Sequence, residues 1–248
     1  MTLVLTELNQ HGIAMAADSA VTSTVPLPGG GTTHRVLHGV QKLQMVMHLE
    51  AGISCWGMGN INGTPTDIWI RDFIYRYKAA TPDLNSFANT LAQELNNIFP
   101  PRSPNSGFHL AGFVDTATGK LPSFYHIHNG NSQYYHNINP DIFNANLDFP
   151  PRSYPIGQFG ITRNGDYRLY MHFFNYLYAF INSIPNNSQF NGIQIPFPDD
   201  LLTHAKLLRM QIQFVSGLYD VSNLVPGIGG PITILGIGPN GYEFFETK

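Results

Sequence analysis

The chain has 248 residues, 43% hydrophobic and only 12% charged, with a formal net charge of −3 and a single cysteine, Cys55. That length and apolar content suit one substantial core, and a single domain over residues 1–248 is expected. The near-neutral balance excludes the electrostatic footprint of a nucleic-acid or anionic-membrane binder, and one cysteine excludes an intramolecular disulfide framework.

Leu3 to Leu8 and Ile13 to Ala17, joined by Asn9-Gln10-His11-Gly12, predict a β-hairpin. Val25 to Gly31, with two prolines and three glycines, reads as a turn or flexible loop. Leu43 to Leu49 and Ile53 to Trp56 predict two strands turning at Glu50-Ala51-Gly52. Thr66 to Lys78 reads as a helix with Thr66 as its N-cap and Ile68, Trp69, Phe73 and Tyr77 on one face. Asp83 to Ile98 is a second helix, ended by Pro100-Pro101. Phe108 to Val114 and Leu121 to Ile127 predict a further strand pair.

Residues 129–155, rich in Asn, Pro and Tyr, show no clear period and read as an ordered excursion or a loop that contacts a neighbour. Asp166 to Asn182 and Asp199 to Tyr219 predict two more helices. Ile232 to Ile237 and Tyr242 to Phe245 close the chain as a hairpin. Strands arrive in hairpins and helices in pairs, against the strict alternation of a parallel α/β fold. The expected class is therefore α+β, with two packed antiparallel sheets and a helix pair on each outer side. The N-terminus lacks a basic region followed by an apolar run of signal-peptide length, and no apolar stretch reaches transmembrane length. A cytoplasmic chain with no membrane partner is expected.

A chain that starts Met-Thr is a good substrate for methionine removal, because the small side chain of Thr2 leaves the bond accessible. Thr2 would then carry a free α-amine beside its own hydroxyl, a nucleophile with a built-in base. His126 and His128 share one strand face, but no carboxylate or third ligand stands at a diagnostic spacing, so neither a metal nor any other cofactor is expected. The aromatic run Tyr170, Phe173, Phe174 and Leu177 reads as core or subunit interface.

The run Thr2…Ala16-Ala17-Asp18-Ser19…Thr22, then Lys42-Leu43, then Gly52-Ile53-Ser54-Cys55-Trp56-Gly57, resembles the proteasome β-subunit family of N-terminal-nucleophile hydrolases, including its bacterial members. The resemblance is strongest over residues 2–60. It implies a four-layer αββα sandwich and a role for each matching residue. Thr2 corresponds to the nucleophile that forms an acyl-ester, its α-amine shuttling the proton. Lys42 matches the lysine that lowers the pKa of that amine and hydroxyl, and Asp18 its ion-pair partner. The Gly57 N–H matches the oxyanion donor, a contribution of roughly 3 kcal/mol in the transition state. Thr22 matches the backbone position that bonds an extended substrate. Cys55 falls where the family sets its first specificity pocket.

Asp220-Val221-Ser222-Asn223, followed by Gly229-Gly230-Pro231-Ile232, resembles the family's supporting loop, in which Asp220 and Ser222 would orient the amine. Ile156-Gly157-Gln158-Phe159-Gly160 resembles the family's Gly-Ser-Gly loop, with Gln158 where serine is usual. The resemblance further implies a threonine endopeptidase subunit of a homo-oligomeric ring, stacked in pairs, acting on unfolded polypeptide with an ATPase unfoldase as possible partner. A catalytically silent ring subunit of the same fold and an amidase for small amides are the alternatives.

Overall fold

The computed structural model describes residues 2–130, 139, 141–165, 168–183, 199–222 and 227–248. The opening hairpin forms as its pattern requires. β1 (Leu3–Asn9) and β2 (Gly12–Ala17) pair from Val4↔Ala17 to Asn9↔Gly12. Asn9 Oδ1 accepts the His11 and Gly12 amides across the turn. Every residue of both strands is buried, the polar Thr6, Glu7 and Asn9 of β1 included.

β3 (Val21–Pro26) and β4 (Thr32–Leu37) form a separate two-stranded ribbon, followed by β5 (Leu43–Val46), β6 (Ala51–Trp56) and the short pair β7 (Asn60–Ile61) and β8 (Thr64–Pro65). Helices α1 (Thr66–Tyr77) and α2 (Leu84–Ile98) precede β9 (Gly107–Thr116), β10 (Gly119–His128), β11 (Asn144–Phe149) and β12 (Phe159–Gly165). Helices α3 (Arg168–Ser183) and α4 (Leu201–Asp220) lead to β13 (Thr233–Gly238) and β14 (Gly241–Thr247).

The strands make two five-stranded antiparallel sheets, ordered β12-β1-β2-β13-β14 and β11-β10-β9-β6-β5. Their inner faces meet through Val4, Leu8, Met15 and Leu235 on one side and Leu43, Ala111 and Phe124 on the other. Each such side chain contributes about 1.5–3 kcal/mol by leaving water. The outer face of the second sheet is covered by α1 and α2 through Phe73, Phe87 and Leu91. That of the first is covered by the α3–α4 layer through Tyr170, Leu208, Ile212 and Val215. The result is the four-layer αββα sandwich that the sequence predicts.

Local signals explain the helix starts. Asp83 accepts the Ser86 amide while Ser86 Oγ accepts the Asp83 amide, a reciprocal capping box. Asp200 accepts the Thr203 amide at 2.6 Å and caps α4. No helix among the described residues is long and apolar enough to cross a membrane.

Five segments differ from the sequence reading. The Pro/Gly stretch is only the tip of the β3–β4 ribbon, whose arms are rich in Thr and Val. The β5–β6 turn falls at a short 3-10 segment, Met47–Leu49, because Glu50 takes the left-handed conformation with φ 48. Pro65, not Thr66, holds the N-cap position of α1, and Thr66 Oγ1 instead donates to the Met58 carbonyl. Within 129–155, β11 adds an edge strand to the second sheet, while residues 131–138 and 140 lie outside the described residues. β12 was hidden because its polar residues Thr162, Arg163 and Asn164 break the apolar pattern.

Candidate active site

The last rung of the opening hairpin, Val4↔Ala17, sets Leu3 opposite Asp18 and leaves Thr2, 7% exposed, at the same sheet edge. The Asp18 amide donates to the Leu3 carbonyl at 3.3 Å, and the Leu3 amide donates to Asp18 Oδ1 at 2.9 Å. The same oxygen accepts from Lys42 Nζ at 2.9 Å. Asp18 Oδ2 accepts the amides of Ala20 at 3.1 Å and Gly229 at 3.2 Å. Lys42 Nζ also donates to the Ala20 carbonyl. Both charged side chains are withdrawn from water, with 3% of Lys42 and 0% of Asp18 exposed. A buried pair is tolerable only when its hydrogen-bonding capacity is met in this way.

Lys42 reaches this point from the lead into β5. Its amide donates to Val40 and its carbonyl accepts from Cys55, which ties it to β6. Gly57 follows β6 with φ +86. A Cβ there would stand 2.5 Å from the Asn105 carbonyl oxygen, so both conformation and space demand glycine. Thr22 lies on β3 opposite Val36. Its neighbour Val21 packs beside Gly59, so the start of the ribbon borders the Gly57 turn.

Cys55 is 4% exposed and belongs to the cluster under α1 with Ile61, Trp69 and Ile70. Burial pushes its thiol up to about 12, against the opposing pull of the Lys42 ammonium. Its surroundings are apolar.

One predicted position, Gln158, stands apart from this cluster. Gln158 precedes Phe159, which pairs with Asn9, so it lies at the far end of β1 from Thr2. The physical reason is the unread strand β12. Its antiparallel run against β1 sends the Gly157-Gln158 turn away and brings Gly165 back to the Thr2 end. Asp220 is exposed as the last residue of α4. Ser222 Oγ donates to the Tyr219 carbonyl at 3.0 Å. The part of that loop that does reach Asp18 is Gly229, whose carbonyl also accepts the Ser19 amide.

Sequence reasoning missed Gly165, and it placed Gly229 in the supporting loop without a role of its own. Gly165 has φ +103, and a Cβ on it would fall onto the Thr2 carbonyl. The Asn164-Gly165 pair was the available signal, a turn dipeptide ahead of a helical pattern. Among the described residues, no group of three or more His, Cys, Asp or Glu side chains is arranged to hold a metal.

Two stacked antiparallel sheets between helix pairs form an αββα sandwich consistent with an N-terminal-nucleophile-hydrolase-type fold. No protein-family model matches the chain, and no curated protein does. Among solved structures it is similar to the Anbu (Gly-1) mutant from Hyphomicrobium sp. strain MC1. The TM-score is 0.53 at 14% identity, covering 100% of this chain and 86% of that one. At that identity the likeness is one of fold.

Proposed function

We propose that this chain is an amide hydrolase of the N-terminal-nucleophile class, with Thr2 as nucleophile once Met1 is removed. The observation that carries the reading is the shared oxygen of Asp18, which accepts both the Leu3 amide and the Lys42 ammonium. It fixes a positive charge beside the backbone of the residue that follows Thr2. In the reaction the Thr2 hydroxyl attacks the substrate carbonyl and its proton passes to the α-amine, directly or through water. The Gly57 amide donates to the developing oxyanion, and the leaving amine takes the proton. The amine then activates water to cleave the acyl-ester. Lys42 disfavours protonation of the neighbouring amine, and Asp18 holds Lys42 in place.

The finer form of this reading is a threonine endopeptidase subunit of a cytoplasmic homo-oligomeric ring, with unfolded polypeptide as substrate, entering alone or by way of an ATPase unfoldase. Hydrolysis products of an unfolded polypeptide such as reduced casein, and of short peptide amides, test it by mass spectrometry. Cleavage of both, absent in Thr2→Ala, supports the peptidase. Cleavage of the small amides alone supports an amidase.

A second reading is a catalytically silent subunit of the same fold. It is favoured by the position of Gln158 at the far end of β1, away from the amine it is expected to contact. No cleavage of either substrate class by a chain that has lost Met1 supports it.

A further inference from the structure

We infer that His109 is a positioning residue for Thr2, acting as a clasp across the sandwich on the two strands that carry the Thr2 end of the opposite sheet. This rests on the Thr2 reading above. His109 lies on β9 and is wholly buried. Its Nδ1 lies 3.0 Å from Thr6 Oγ1 on β1, and its Nε2 lies 2.6 Å from Asn164 Oδ1 on β12. An amide oxygen only accepts, so Nε2 carries the proton and Nδ1 accepts the Thr6 hydroxyl. One imidazole therefore holds a side chain from each of two neighbouring strands of the other sheet. Phe124 meets the ring edge-on at 5.1 Å between centroids and fixes its plane.

The register gives this clasp its consequence. Asn164 stands opposite Val4, and the next rung is Leu3 opposite Gly165, the glycine pressed against Thr2. β12 is an edge strand with a hydrogen-bonded neighbour on one side only. Its ladder to β1 does not by itself tie the pair to the second sheet, which carries Lys42's neighbour Leu43 and the Gly57 turn. His109 supplies that tie close to the reacting end. Burial and the neighbouring His126 keep the ring neutral, as the one-donor, one-acceptor arrangement needs.

The test compares His109→Leu, His109→Gln and Leu91→Ala, a core truncation in the distal α2 layer that lowers thermal stability without touching either strand. The readouts are reaction of Thr2 with a peptide epoxyketone and hydrogen exchange over 2–9 and 159–165. We expect His109→Leu to cut the limiting rate of adduct formation about tenfold or more with the half-saturating concentration unchanged. His109→Gln, whose amide can still donate to Asn164, recovers part of the rate. Leu91→Ala leaves it unchanged, and exchange quickens over the two strands in His109→Leu alone.

Equal loss of rate in His109→Leu and Leu91→Ala overturns the proposal. If His109→Leu does not fold, Thr6→Val removes one arm of the clasp and is read the same way. A folded parent chain without Met1 that forms no adduct defeats the Thr2 reading. The clasp is then upheld by faster exchange confined to the two strands, and overturned by exchange that rises equally in His109→Leu and Leu91→Ala.

Discussion

Lys42 Nζ meets Asp18 Oδ1 at 2.9 Å with both side chains buried, and the same oxygen receives the Leu3 amide. Removing either partner strands the other charge in a dry site. Asp18→Ala and Lys42→Met are each expected to destabilise the fold by about 3–5 kcal/mol. The double variant should cost clearly less than the sum, because no charge is left behind. Urea unfolding of the cycle checks this, and simple additivity would contradict the coupling.

Gly57 is exposed, so a surface-substitution argument would make Gly57→Ala harmless. The φ of +86 and the approach of Asn105 argue otherwise. A loss of about 1–3 kcal/mol is expected, with a displaced turn after β6. Thermal midpoints of Gly57→Ala and Gly63→Ala separate space from conformation. Gly63 also has positive φ, at 79, but nothing crowds it. Equal losses would leave no role for the Asn105 contact.

Acid should unfold this protein through its core. His109, His126 and His128 are all buried, and burial holds all three below their ordinary value of 6.5, His109 at about 3. Asp148, 3.5 Å from His126 Nδ1, is the carboxylate facing the group, and it pulls His109 and His128 the other way. In this window the unfolded chain binds protons that the folded chain refuses. The His109 contribution is therefore complete above 6.5 and falls as pH drops toward about 3, by up to about 1.4 kcal/mol per pH unit, and His126 and His128 add to the slope in the same direction. Urea unfolding as a function of pH should show this slope, shallower by one histidine's share in His109→Gln. An unchanged slope in that variant would rule out His109 as a contributor.

Cys55 should behave as an inert thiol. With its ionisation pushed up to about 12 and its side chain packed beneath α1, it offers almost no thiolate at neutral pH. Iodoacetamide should leave the native mass unchanged and add one carboxamidomethyl group in urea. Rapid native labelling would show that the layer under α1 opens.

The sandwich was legible because its strands are hairpins marked by apolar runs and turn residues, as in Leu3–Asn9 and Gly12–Ala17. Asp18 and Lys42 were legible through a family-like spacing, and their contact is what that spacing implies. β12 was not legible. Asn164 is buried on it and hydrogen-bonds to His109 of the other sheet, a long-range fact that no local pattern carries. Missing β12 put the Gly-Ser-Gly loop at Gln158 and hid Gly165. Gly229 was legible as part of the supporting loop, but its contact was not, since what reaches Asp18 is its backbone amide, and an amide has no residue signature. The residues 223–226 between Ser222 and that glycine lie outside the described residues.

The most direct test of Thr2 as nucleophile is the intact mass of the purified chain before and after a peptide epoxyketone, a reagent whose stable ring adduct needs both a free amine and the adjacent hydroxyl. Loss of Met1 and one adduct per chain, abolished in Thr2→Ala, is the predicted result. A mass that retains Met1 and gains nothing, from protein that is folded and exposed to excess reagent, would contradict it.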